Sequence, residues 1–225
     1  KMAIIKNIIT LWKAEDLLSQ AWDRSFEMME LSREIFNQAL TYLRKGENID
    51  TLKALKKRDR EINAFQQEVR RKVLTHYAVE QNTTDMANGM ILINMVIDIE
   101  RIGDYCKNIL DLAINHPNQI VAEDISDDLT LIENEVKNRF DKTIEAIHTQ
   151  DADIAQSLME KYRQHMTGKS DDIVNNILKG NTDFGSASKT AAVALYARYL
   201  KRIGAHLKNI TTTIVNPFDS IGYKN

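Results

Sequence analysis

The sequence predicts an all-α protein made of two similar antiparallel three-helix bundles, and three observations support this prediction. The 225 residues include only eight glycines and two prolines, so long helices are favoured over many short strands. Apolar residues recur at helical spacing along most of the chain. The nine residues that begin at Arg101 reappear at Arg202, with six of them identical at an offset of 101. A match at a fixed offset indicates one structural unit used twice, here residues 1–116 and residues 117–225.

Composition and charge exclude several classes of protein. With 43% hydrophobic and 28% charged residues, the chain has the composition of an ordinary globular protein. Its net charge of −2 lacks the clustered basic excess that nucleic-acid binding needs. No run approaches the roughly 18 consecutive apolar residues of a membrane span, and the single cysteine, Cys106, cannot form an internal disulfide. We therefore expect a cytoplasmic protein with no nucleic-acid partner.

The first two helices are expected in residues 11–44 and 50–80, which contain no glycine or proline. Two apolar stripes on the first helix suit a bundle in which each helix contacts two others, and Gly46 is a typical C-terminal signal. The apolar seam of the second helix has a spacing that also includes Asp59 and Gln66, where a hydrophobic residue is expected. A carboxylate at such a position needs a partner or access to water.

The third helix is expected to begin after Asp85, a candidate N-cap, and to end before Pro117. Its apolar seam steps by three and four residues: Leu92, Met95, Ile99, Ile102, Cys106, Ile109 and Ala113. The offset of 101 maps this seam onto a second one: Val193, Tyr196, Leu200, Ile203, Leu207, Ile210 and Ile214. It also maps Asp85 onto Ser186, another capping residue. Gly103 and Gly204 lower helix propensity, and we expect them to allow a close approach between helices.

The second unit repeats this order of helices. A fourth helix is expected in residues 126–149, a fifth in residues 151–179 with Gly168 weakening its middle, and a sixth that ends near Val215. The two units are expected to join near residues 115–122. Because the connections are short, neighbouring helices must pack antiparallel.

Two segments of the chain resemble a known family. The first is Glu-Arg-Ile-Gly-Asp at residues 100–104, inside a long helix and partly repeated in the second unit. The second is the ending Asn-Pro-Phe-Asp-Ser-Ile-Gly-Tyr at residues 216–223. Both resemble the PhoU family of phosphate-uptake regulators. The resemblance extends over the whole chain in length and repeat order, and it implies a PhoU-like fold of six helices.

The same resemblance implies a function and partners. It implies a non-enzymatic regulator of inorganic phosphate uptake that acts as a helical adaptor. The implied partners are the ATPase of a phosphate ABC transporter and a sensor histidine kinase, through which the protein would be peripheral to the membrane. The resemblance also implies a homodimer.

Four polar residues form the candidate metal site. Glu100 and Asp104 are expected on the outward side of the third helix, one turn apart, where two carboxylates repel each other unless a cation lies between them. Asp59 and Asn63 repeat this spacing on the second helix. Hard cations prefer such oxygen ligands. In PhoU proteins paired acidic motifs of this kind are associated with iron or zinc, so the resemblance implies an iron or zinc site. The alternative is a solvated helix face on which Glu100 pairs with a nearby lysine or arginine.

The second unit has lost most of this motif. The offset of 101 maps the four candidate residues onto Glu160, Gln164, Lys201 and Ala205. A lysine ammonium group repels a metal ion, so we expect at most one metal site, in the first unit. His165 and His206 remain possible nitrogen ligands in the second unit, although a single histidine on a helix is more often a packed or solvated residue.

Two other functions stay open at this point. One is a regulatory module of a sodium–phosphate cotransporter or a similar carrier. The other is a metal-binding helical-bundle enzyme. A ferritin-like di-iron centre requires inward Glu-x-x-His pairs, whereas Glu100 is followed three residues later by Gly103. No catalytic residues are predicted.

Overall fold

The computed structural model describes residues 17–80, 84–116, 126–162 and 168–223. Within these residues the chain forms eight α-helices, a short 3₁₀ helix and no strand, which confirms the all-α prediction. The helices are α1 (Leu17–Lys45), α2 (Ile49–Lys57), α3 (Asp59–Glu80), α4 (Met86–Asn115), α5 (Ser126–Thr149), α6 (Ala152–Tyr162), α7 (Gly168–Leu178) and α8 (Ala187–Val215), and the 3₁₀ helix is Phe218–Ser220.

The predicted second helix is divided into α2 and α3, so its prediction as one helix is wrong. The break lies at Arg58, whose backbone N–H donates to the carbonyl of Leu55 at 3.0 Å, one residue nearer than in an α-helix. The guanidinium group of Arg58 bonds Glu34 of α1 at 2.8 Å and Glu61 of α3 at 3.1 Å. The bond to Glu34 connects the break between α2 and α3 to α1.

The predicted fifth helix also appears as two helices, α6 and α7. Residues 163–167 between them lie outside the described residues, as do residues 11–16 of the predicted first helix and residues 117–125 around the predicted joint. Gly168 is the first described residue of α7.

The two predicted N-caps have different outcomes. Ser186 caps α8, because its hydroxyl accepts a bond from the backbone N–H of Lys189 at 3.1 Å. Asp85 occupies the N-cap position of α4 as predicted, but its side chain makes no capping bond. Its carboxylate lies instead 3.2 Å from Nε2 of His76 on α3, and both side chains are buried.

The two repeated seams form the core. All seven seam residues of α8 and the first six of α4 are buried, and Ala113 is half-buried. Burying one such Leu or Ile side chain contributes about 1.5–3 kcal/mol to the hydrophobic stabilisation of the fold. The buried seams therefore confirm that the aligned segments play the same packing role in both halves.

The halves pack side by side around a continuous hydrophobic core. In the first half α1, α3 and α4 pack together, and in the second half α5 and α8 pack with α6 and α7. The two halves meet where α4 packs against α8 and α1 packs against α5. Phe36 and Phe140 are 5.1 Å apart between ring centroids across the α1–α5 contact. Nearby, Arg44 of α1 bonds Glu133 of α5 at 2.9 Å.

Gly103 allows α3 to approach α4 closely, as its place in the repeat predicts. A Cβ atom at this position would lie 2.8 Å from Cδ1 of Ile62, which is fully buried. The same Cβ atom would lie 3.9 Å from Oδ1 of Asp59. Because Gly103 has no Cβ atom, the start of α3 can lie beside the segment of α4 that carries Glu100 and Asp104.

Candidate functional site

Asp59, Glu100 and Asp104 form a cluster of carboxylates, which we call the acid cluster, where α3 begins beside α4. Asp59 is the first residue of α3, and the other two lie one turn apart on α4. Lys107, on the next turn of α4, joins the two helices. Its Nζ atom lies 3.0 Å from Oδ2 of Asp59 and 3.3 Å from Oδ1 of Asp104.

The acid cluster is less exposed than the outward side predicted from the sequence. The side chains of Asp59, Glu100 and Asp104 are 15%, 18% and 32% exposed. The sequence places Glu100 opposite the seam of α4, but it does not show that Asp59 of α3 lies close to this side. The prediction of a fully outward face is therefore corrected to a half-buried one.

The charges in the acid cluster are only partly balanced. Burial, with the neighbouring carboxylates of Asp104 and Asp59, raises the pKa of Glu100, although Arg101 opposes this shift. Arg101 lies 3.6 Å from Glu100 and 3.2 Å from Asp104. Burial lowers the pKa of Lys107, but its bonds to Asp59 and Asp104 outweigh burial and raise the pKa overall. Three carboxylates thus face two cationic side chains.

All four residues of the predicted metal site lie near the start of α3. The amide of Asn63 donates to Oδ2 of Asp59 at 3.3 Å, so this amide supports Asp59. The other oxygen of Asp59, Oδ1, is buried and accepts no hydrogen bond. Within the described residues, no group of three His, Cys, Asp or Glu side chains is arranged to hold a metal ion. The residues are oxygen donors, but they are not arranged around a common point, and the ammonium group of Lys107 lies between two of them.

The second half has a salt bridge at the corresponding part of α8. Lys201, which aligns with Glu100, bonds both carboxylate oxygens of Asp171 on α7, at 2.6 and 2.7 Å. Lys208, which aligns with Lys107, lies 5.9 Å from the ring centroid of Tyr162. Glu160 is exposed and accepts a bond from Gln156 of the same helix at 3.5 Å. Gln164 lies outside the described residues.

His206 takes part in the contact between the two halves. Its Nδ1 atom lies 2.7 Å from Oδ1 of Asp98 on α4, and Asn209 donates to the same oxygen at 3.1 Å. Its ring stacks on Tyr105, with centroids 5.8 Å apart. The offset of 101 maps Asp98 onto Tyr199, and this alignment does not indicate the pairing of Asp98 with His206. The other candidate ligand, His165, lies outside the described residues.

A Glu-x-x-His spacing occurs at Glu145 and His148 on α5, and both side chains are exposed. Glu145 pairs with Lys142 at 2.6 Å, and the His148 ring lies 5.3 Å from that of Phe26. A ferritin-like centre needs such pairs to project into the bundle. This pair projects out of it and does not form such a centre.

Comparison with known protein families shows which domain the repeated unit matches. Residues 26–113 and 129–214 each match the PhoU domain, so one match falls in each half of the chain. The chain belongs to the PhoU family. The two PhoU domains contain the two aligned seams, and the acid cluster lies in the first of them.

Solved structures of PhoU proteins share this fold. PhoU from Pseudomonas aeruginosa aligns with a TM-score of 0.75 at 20% identity, covering 88% of this chain and 95% of that one. The phosphate transport system regulatory protein PhoU from Streptococcus pneumoniae aligns with a TM-score of 0.75 at 18% identity, covering 88% and 93%. No curated protein matches the sequence. Among the described helices of this PhoU chain, none has the length and hydropathy needed to cross a membrane.

Proposed function

We propose that this protein regulates inorganic phosphate uptake as a helical adaptor and performs no chemistry itself. Its partners are the ATPase of a phosphate ABC transporter and a sensor histidine kinase. It acts in the cytoplasm as a homodimer and reaches the membrane only through these partners. The observation that carries the proposal is the pair of PhoU domain matches, one in each half.

Two further observations support a regulator over an enzyme. The S. pneumoniae structure with the same fold is that of a phosphate transport system regulatory protein. A groove of about 730 Å³ within the described residues is open and lined by ion pairs. Charged surfaces of this kind guide the approach of oppositely charged protein partners.

Deletion of the gene tests the regulatory role. We expect uptake of radioactive phosphate at high external phosphate to rise in the deletion strain, and a plasmid copy of the gene to restore the lower rate. The tagged protein should also recover the transporter ATPase and the kinase from the same cells. Unchanged uptake together with recovery of neither partner would contradict the proposal.

We also propose that the acid cluster and Asn63 hold one iron or zinc ion. The donors are the carboxylates of Asp59, Glu100 and Asp104 and the amide oxygen of Asn63. Two features support the site: Oδ1 of Asp59 is buried without a hydrogen-bond partner, and neighbouring carboxylates contribute to the raised pKa of Glu100. A bound cation would compete with the ammonium group of Lys107, which bonds two of the carboxylates. The ion would supply positive charge to link α3 and α4.

Metal content tests this site directly. Protein purified without chelator is compared with the double variant Glu100→Ala/Asp104→Ala by elemental analysis. We expect iron or zinc in the wild type and a loss of most of it in the variant. Equal metal in both proteins would eliminate the site, while circular dichroism of both checks that the fold is retained.

A further inference from the structure

A groove lies against α1 and α3 and is lined by no described residue of α4. It runs along α1, between α3 on one side and α5 of the other half on the other side. Its volume is about 730 Å³. The lining residues are Phe26, Glu27, Glu30, Leu31, Arg33, Glu34, Asn37, Arg58, Glu61, Phe65 and Asp141. Both halves of the molecule therefore contribute to one groove.

The floor of the groove is apolar. The rings of Phe26 and Phe65 are half-buried, and Leu31 between their helices is buried. The guanidinium group of Arg24 lies 4.5 Å from the ring centroid of Phe65 and fixes that ring in place. Two aromatic rings left partly open beside an apolar side chain can take up the apolar face of another segment.

The edges of the groove carry excess negative charge. Five carboxylates and two guanidinium groups line it, and Arg24 beside it pairs with Glu27, so two negative charges remain in excess. Arg33 pairs with Glu30 and lies 2.9 Å from Asp141 of α5. Arg58 lies 2.8 Å from Glu34 and 3.1 Å from Glu61. Each guanidinium group is shared by two carboxylates, so the edges retain the capacity to accept further cations.

A comparable groove in the second half has balanced charge and serves as an internal comparison. It lies between α5 and α6, and its charged lining residues are Glu135, Asp153, Arg139 and Lys142. Its volume is about 570 Å³. Two acids and two bases give no excess charge, so the negative edge is a property of the first groove.

We propose that the groove on α1 binds a short basic amphipathic helix of a partner protein. From Phe26 to Asn37 the groove follows α1 for about 16 Å, at about 1.5 Å per residue, which matches three turns of a bound helix. Apolar side chains of that helix lie on Phe26 and Phe65, and its lysines or arginines pair with Glu30, Glu34 and Glu61. The inference builds on the adaptor role and specifies the face and the chemistry of one partner contact.

The probe is a designed peptide of about 14 residues, leucine and lysine only, with lysines along one face of a helix. Its binding to the full-length protein is measured by fluorescence anisotropy at low salt and at about 0.15 M salt. The test variant is Glu30→Lys/Glu34→Lys, which leaves Arg33 with Asp141 and Arg58 with Glu61. The control variant is Glu47→Lys/Glu160→Lys, which makes the same charge change at two exposed residues outside the groove.

We expect the test variant to bind the peptide about tenfold more weakly than the wild type, because two attractions become two repulsions. The control variant should bind within about threefold of the wild type, and Phe65→Ser should weaken binding with no change in charge. If the test and control variants weaken peptide binding equally, the peptide is attracted by the overall charge of the protein, and the proposal is overturned.

A second outcome distinguishes another occupant. If sedimentation shows a self-association of the wild type that Glu30→Lys/Glu34→Lys abolishes, the groove is covered by a second copy of the chain and the proposal fails. The phosphate-uptake phenotype of the deletion strain does not depend on either binding measurement. If the peptide does not bind in the groove, the regulatory role still stands. If deletion of the gene leaves phosphate uptake unchanged, the peptide-binding result can still be interpreted.

Discussion

The equivalent long helices α4 and α8 share a buried side and differ on the other side. Their seams coincide position by position, and Ile102 and Ile203 are both fully buried. On the other side, Glu100 of α4 belongs to a cluster of three carboxylates, whereas Lys201 of α8 is held by Asp171. The packing side therefore specifies the fold, while the other side has diverged in charge.

Each half balances its charges by a different route. In the first half Lys107 bridges Asp59 and Asp104 between two helices. In the second half the aligned Lys208 lies over the ring of Tyr162 and donates to the carbonyl of Gly222 at 3.0 Å. In the first arrangement three carboxylates face two cationic side chains, and this excess is what a metal ion would neutralise.

The largest effect should come from the side that the two helices share. Ile102→Ala and Ile203→Ala each remove a fully buried side chain from aligned positions. We expect each to lower the free energy of unfolding by about 2–5 kcal/mol, and the two losses to agree within about 1 kcal/mol. Urea denaturation followed by circular dichroism measures both. A loss several kcal/mol smaller in one half would break the equivalence of the seams.

A smaller effect should distinguish the two lysines. Lys107→Met leaves Asp59 and Asp104 without their shared cation, so we expect a loss of about 1 kcal/mol in unfolding free energy. Lys208→Met removes the contact with the Tyr162 ring and the bond to the carbonyl of Gly222, and we expect a loss of about 0.5 kcal/mol or less. Because added salt screens the charges, it should reduce the loss of unfolding free energy that Lys107→Met causes in the same assay. Equal losses at both positions would show that the acid cluster has no excess charge.

The smallest effect concerns pH. Because folding raises the pKa of Glu100 above its ordinary value of 4.5, the folded protein holds this proton more tightly than the unfolded chain. Ionisation therefore costs the wild type stability as the pH rises from 4.5 through the raised pKa. Glu100→Gln removes this cost, so we expect the variant to gain less than about 1 kcal/mol at pH 7 and nothing below pH 4. Thermal melts across this range measure the difference, and a gain that grows as the pH falls would contradict the sign.

The sequence predicts the buried side that α4 and α8 share better than the side on which they differ. The repeated spacing correctly identifies the buried residues of α4 and α8, because helical periodicity depends on local sequence alone. It also places Gly103 at a close approach. It misses the break at Arg58, where bonds to Glu34 of another helix accompany a local change in hydrogen bonding. It misses the half-burial of Glu100, because burial depends on contacts between helices that local periodicity does not specify.

Zinc titration into the metal-free protein tests the central claim, that only the first half carries a cation site. Calorimetry should show a single zinc bound by the wild type, and tighter binding by Lys107→Met because the competing ammonium group is gone. Glu100→Gln/Asp104→Asn should bind none, whereas Asp171→Asn in the second half should bind like the wild type. Zinc bound as tightly by Glu100→Gln/Asp104→Asn as by the wild type, or lost in Asp171→Asn, would contradict the account.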